Sequence, residues 1–128
     1  MIDATKLLLG LPLMDEQHAA LVELFNVLEK PDSDLATLGP AFASYADFHF
    51  EEEEALMRQY DDPAMAAHVA EHQAYRATFE RMMHESLSGP AAREAMQAYV
   101  SSWLAEHILG TDKALAKFLN GAGYVSQR

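Results

Sequence analysis

An all-α fold is what this sequence predicts: an up-down-up-down four-helix bundle with a short extra helix at the carboxyl end. Apolar residues recur at three- and four-residue spacing through four long segments, and no stretch shows the period-two alternation of a strand. Each segment is bounded by proline, glycine or an acidic cap. The chain has 128 residues, 50% hydrophobic and 23% charged, without internal repeats, which suits one core in one domain spanning 1–128.

The first helix takes Asp15 as its N-cap, carries His18, Leu21, Val22, Phe25 and Leu28 on one stripe, and stops near Lys30 ahead of Pro31-Asp32-Ser33-Asp34. The second starts at Pro40, whose fixed φ and missing N–H suit a first helical turn. It repeats Phe42, Tyr45, His49, Glu53, Leu56 and Tyr60 along one side until Asp61-Asp62-Pro63 breaks it. The third takes Asp62 as cap and Pro63 as first residue, then places Met65, His68, His72, Tyr75, Phe79 and Met82 together as far as about Ser86. The fourth runs from Pro90 through Met96, Tyr99, Val100, Trp103, Leu104 and His107. After Gly110 a short helix over 111–120 carries Leu115 and Phe118, and Gly121 closes it ahead of a frayed tail. Helices of this length joined by short turns form a bundle, because each must turn its stripe toward the other three.

Composition excludes several chemistries. With no cysteine there is no disulfide, thiolate zinc site, iron–sulfur cluster, covalently attached haem or cysteine nucleophile, so any metal must be held by His, Asp and Glu. A formal net charge of -11 repels phosphate backbones and anionic membrane surfaces, so neither nucleic acid nor membrane is an expected partner. The longest apolar stretch, residues 7–14, is interrupted by Gly10 and Pro12 and is far too short to span a bilayer. A cytoplasmic location is the expectation.

The stripes contain residues that do not belong in oil. Helical positions four apart point within roughly 40° of each other, which aligns His49 with Glu53 and His68 with His72. Burying such groups is costly unless they are paired or ligate a metal. One inward histidine is ordinarily a hydrogen-bonded core residue, but His18, His49, His68, His72 and His107 fall on all four helices. His84 lies about 120° around the third helix from His72 and is a surface residue. Five imidazoles with two carboxylates exceed a four-coordinate zinc and suit a pair of first-row ions, iron or manganese, sharing carboxylates. Within the run Glu51-Glu52-Glu53-Glu54, Glu52 lies about 60° from His49 and Glu53 about 40° on the other side, so both reach a metal beside His49. Asp112, five residues past His107, is rotated by roughly 140° in an ideal helix and shares its face only if the helix is distorted near Gly110.

In chain order these residues read His18, then His49-Phe50-Glu51-Glu52-Glu53-Glu54 with Met57, then His68-x-x-x-His72, then Trp103-Leu104-x-x-His107-Ile108-x-x-x-Asp112. Together with the lead-in Met14-Asp15-Glu16-Gln17-His18, this pattern resembles the hemerythrin family, its bacterial members in particular, over essentially the whole chain. The departure is at the amino end, where many bacterial members carry a tryptophan and this chain has Ile2-Asp3-Ala4, so the packing of the amino-terminal arm is expected to differ.

The resemblance implies two iron ions as cofactor. His68, His72 and His107 would hold one and His18 and His49 the other, with Glu53, selected over Glu52, and Asp112 bridging them beside a solvent-derived oxo or hydroxo group. The iron with two histidines keeps an open position for dioxygen. Two ferrous ions, two carboxylates and a hydroxide leave about +1, a load that a partly dry core tolerates. An apolar dioxygen pocket would be walled by Leu21, Phe50, Trp103, Leu104 and Ile108, each of which also serves as ordinary bundle core. The implied function is reversible dioxygen binding for storage, transport or sensing, by a monomer that is not an enzyme and has no identified protein partner. The alternative is a di-iron enzyme or small-gas handler on the same site, acting on peroxide, nitric oxide or oxygen. The ferritin-like kind of di-iron enzyme uses Glu-x-x-His pairs and a carboxylate-rich shell, which these core positions lack.

Overall fold

A computed structural model describes residues 1–124. A 3₁₀ turn over Ala4–Leu7 precedes α1 (Pro12–Leu28), α2 (Leu35–Gln59), α3 (Met65–Ser86) and α4 (Pro90–His107). A π-helical segment, Ile108–Asp112, then joins α4 to α5 (Lys113–Gly121).

Side-chain pairings give the topology. Gln17 meets His49 while Phe25 meets Phe42, so α1 and α2 run antiparallel. Phe50 stacks on His72 while Phe42 meets Phe79, and Glu71 meets His107 while Tyr75 meets Tyr99, which makes α2 with α3 and α3 with α4 antiparallel as well. Gln97 donates to the Leu28 carbonyl at one end and His18 lies against Asp112 at the other, closing α4 onto α1. This is the up-down-up-down bundle with its extra carboxyl-terminal helix.

Several boundaries differ from those expected. α1 starts at Pro12, not after Asp15, whose carboxylate instead accepts from the Leu9 and Gly10 N–H groups and ties down the preceding loop. α2 starts at Leu35, five residues before Pro40, because Asp34 caps it by accepting from the Ala36 N–H and the Thr37 hydroxyl, and Leu35 is buried. Pro40 therefore lies inside the helix, with its ring exposed. α3 starts at Met65 because Asp62, its carboxylate accepting from the Ala64 N–H, closes a separate turn after Asp61 at φ 54°. α5 is continuous with α4 through the π segment, with no break at Gly110. The expected frayed tail falls mostly on residues 125–128, outside the described residues.

The amino-terminal arm is anchored without a tryptophan. The Ile2 N–H donates to Asn26 Oδ1 at 2.9 Å, Asn26 Nδ2 returns a bond to the Ile2 carbonyl at 2.9 Å, and Leu7 is buried. Among the described residues no helix is long and apolar enough to cross a membrane.

Among the described residues the core gathers into two apolar clusters. One gathers Leu21, Phe25, Phe42, Phe50, Phe79, Val100 and Leu104, the other Leu11, Met14, Met57, Leu115 and Leu119. Three polar residues fall between them along the chain: His18 between Met14 and Leu21, Glu53 between Phe50 and Met57, Asp112 between Ile108 and Leu115, while His49 and His107 are flanked by residues of the first cluster.

Candidate metal centre

His18 comes from α1, His49 and Glu53 from α2, His68 and His72 from α3, His107 from α4 and Asp112 from the π segment. All seven are buried, none more than 4% exposed, whereas His84 is exposed and Glu52 lies half-buried outside the cluster. Glu53 is therefore the member of the glutamate run that turns inward. Asp112 joins because π-helical i→i+5 bonding widens the turn after His107, so a residue five positions on returns to the same face. Its Oδ1 lies 3.1 Å from His107 Nε2.

The two carboxylates divide the histidines between them. Glu53 Oε2 lies 3.1 Å from His49 Nε2 and 3.7 Å from His18 Nε2, while Oε1 lies 3.2 Å from His72 Nε2 and 3.5 Å from His68 Nε2. Asp112 repeats the division, with Oδ2 at 3.0 Å from His18 Nε2 and Oδ1 at 3.0 Å from His68 Nε2. Between them, one oxygen of each carboxylate covers His18 and His49, with Asp112 reaching His18 alone, and the other oxygens cover His68, His72 and His107. Ligand atoms of Glu53, His68, His72, His107 and Asp112 all lie within 4.8 Å of one another, and those of His18, His49, Glu53 and Asp112 do likewise.

The residues fit a metal. Nε2 of His18, His49 and His68 and all four oxygens of Glu53 and Asp112 are buried without a hydrogen-bond partner among the described residues. So many nitrogen and oxygen ligand atoms converging in one buried place fit a cation, which would take their lone pairs where water does not reach.

Groups outside the cluster aim the rings. His49 Nδ1–H donates to Gln17 Oε1 at 2.6 Å, His72 Nδ1–H to Glu54 Oε2 at 2.8 Å, and His107 Nδ1–H to Glu71 Oε1 at 3.1 Å. The Thr111 hydroxyl donates to the same Glu71 carboxylate. Because the acceptors hold the proton on Nδ1, each Nε2 presents its lone pair inward. Sequence reasoning assigned Glu54, Glu71 and Thr111 no role and took Gln17 only as part of a lead-in. Each glutamate is the chain neighbour of a cluster residue, about 100° around the helix, from where a long carboxylate reaches back to an imidazole.

Burial is the largest influence on the His18 and His68 imidazoles and pulls their pKa values down, yet the Asp112 and Glu53 carboxylates outweigh it, leaving His18 at about 9 and His68 at about 10. The carboxyls move the other way: burial opposes ionisation, but the surrounding imidazoles hold Glu53 well below the usual carboxylate range and Asp112 below its own. At neutral pH a metal must therefore displace protons from His18 and His68. Metal uptake at pH near 7 is expected to release protons into weakly buffered solution, and affinity is expected to rise with pH from neutral and to level off above about 9 to about 10. Uptake that is proton-neutral at pH 7 and insensitive to pH would contradict this.

Aromatic rings brace the cluster on one side. Phe50 stacks on His72 at 3.9 Å and 12°, Trp103 stacks on His107 at 4.2 Å and 12°, and the two meet edge-on at 5.8 Å. Leu21, Leu104 and Ile108 belong to the same buried cluster as Phe50, with Trp103 packed against it. Of the five residues expected as a pocket wall, Phe50 and Trp103 touch cluster histidines, and the other three share their apolar cluster.

Comparison with known proteins agrees with this geometry. The family model described as the hemerythrin HHE cation binding domain matches residues 9–119. A bacteriohemerythrin of Stenotrophomonas maltophilia is 28% identical over 113 residues, covering 84% of this chain and 74% of its own. A bacteriohemerythrin of Ralstonia nicotianae is 28% identical over 117 residues, covering 90% of this chain and 85% of its own.

Proposed function

The chain belongs to the hemerythrin family, and from that premise we propose that it binds dioxygen reversibly at two iron ions and is a binding protein, not an enzyme. The observation that carries the reading is the division of each carboxylate between two unequal groups of histidines. His68, His72 and His107 would hold one iron, His18 and His49 the other, and Glu53 and Asp112 would bridge them. When bound, such an iron pair supplies an open coordination position and the electrons for reversible capture of dioxygen. With two histidines against three, the ion held by His18 and His49 would be the one left with room for dioxygen.

The protein's part is to orient and to exclude. Gln17, Glu54 and Glu71 fix the imidazole tautomers, so the ligand set keeps its geometry while charge moves within it. Phe50 and Trp103 cover ring faces of His72 and His107, and Leu21, Leu104 and Ile108 keep bulk water from the neighbouring space. Excluding water and external reductants separates reversible binding from turnover.

Gas-uptake titration of the reduced, iron-loaded protein tests the proposal: one dioxygen is expected per iron pair, and uptake at another ratio, or none, overturns it. The wall makes its own prediction. Leu104→Asn is expected to speed spontaneous conversion to the oxidised form by about tenfold or more, because a polar side chain admits water where a buried leucine now stands. Absorption kinetics in air check this, and an unchanged rate would remove the wall from the account.

A further inference from the structure

A cleft of about 370 Å³ lies between the first two turns of α3 and the junction of the π segment with α5. Ala64 and Ala67 line it on one side and Gly110 and Ala114 on the other, all four exposed, and side chains this small leave the space between them open. A Cβ at Gly110 would meet nothing within 4 Å.

The cleft ends on the metal cluster. His68, one of the five clustered histidines and only 3% exposed, is part of its lining. So is Glu71, whose carboxylate accepts from His107 Nδ1–H and from the Thr111 hydroxyl. Asp62 adds a second carboxylate, and no lysine or arginine lines the cleft. A concave surface carrying one sign of charge focuses counter-ions, here cations. On another side of the cluster that approach is walled off, where Phe50 and Trp103 stack on His72 and His107.

His68 is also a ligand left free to move. Gln17, Glu54 and Glu71 tether His49, His72 and His107 at Nδ1, whereas no such acceptor holds His68 among the described residues. His18 lacks one as well, but its Nδ1 is buried within the bundle. His68 therefore combines an untethered ring with a place in the lining of the cleft.

We propose that this cleft is the entry and exit route for a divalent metal ion, which Asp62 and Glu71 draw in and which His68 passes to the cluster by turning its ring toward the cleft. The route rests on the metal centre and not on its use of dioxygen.

Stopped-flow uptake of cobalt(II) by the metal-free full chain, followed by its visible absorption, tests this beside withdrawal of bound cobalt by excess chelator. A route changes how fast an ion arrives and leaves but not the free energies of the end states. In Ala114→Phe, which fills the cleft, uptake and withdrawal are expected to slow by the same factor, about tenfold or more, with metal per chain, affinity and circular dichroism unchanged. Ala67→Lys is expected to take up cobalt more slowly than Ala67→Met, which is similar in length but uncharged, because a positive charge at the mouth repels the ion. Unchanged rates in Ala114→Phe overturn the route, and equal rates in Ala67→Lys and Ala67→Met overturn the part given to the carboxylates. A natural chain that takes up no cobalt overturns the metal centre and the route together.

Discussion

Glu53→Gln is expected to leave the chain helical but unable to load two metal ions. Glu53 lies within 3.7 Å of four imidazole nitrogens, two approached by each of its oxygens, and is 1% exposed. The amide has nearly the same shape but only one acceptor atom and no charge, so it serves one side of the cluster at most. Metal affinity should fall by more than the about 10–100-fold that loss of an outer hydrogen-bonding partner costs. Metal per chain should drop by at least half. The fold should survive, because the two apolar clusters that hold the helices together are untouched by the change. Elemental analysis beside far-ultraviolet circular dichroism reads both, and normal loading in Glu53→Gln would contradict a bridging role.

Stripping the metal from the natural protein should have the larger effect on stability. The metal-free native state buries five histidines and two carboxylates among apolar side chains, with most of their inward atoms lacking hydrogen bonds. A metal that binds only the folded chain stabilises it by mass action, by about 4 kcal/mol when free metal is a thousand times the dissociation constant. For a domain of this size that corresponds to a fall in Tm of about 10–20 °C on chelation. Scanning calorimetry with and without chelator measures it, and coincident transitions would mean that the cluster is stable through its own ion pairs.

The histidines were legible because helical periodicity is strong and an ionisable residue on an apolar stripe is conspicuous. His18, His49, His68, His72 and His107 could each be placed inward from spacing alone. Asp112 could not, since an ideal helix turns it away from His107 and only the π segment brings it back. Spacing also left Glu52 and Glu53 open; the distinction came from resemblance, and the fold agrees with Glu53. The start of α2 was misplaced because proline at a first turn is a strong signal, whereas the true cap at Asp34 is one acidic residue among several in a loop. Gln17, Glu54 and Glu71 sit at the margins of the stripes, where a sequence does not distinguish a solvated carboxylate from one holding an imidazole proton.

The central claim is reversibility, and visible absorption tests it most directly. The iron-loaded protein, reduced without air and assayed for iron on the same sample, is exposed to dioxygen and then returned to an inert atmosphere. A charge-transfer band that rises with dioxygen, fades on its removal and returns through several cycles, with two irons per chain, is the result the proposed site predicts. Immediate oxidation without a recoverable spectrum, or a chain that retains no iron, would contradict it.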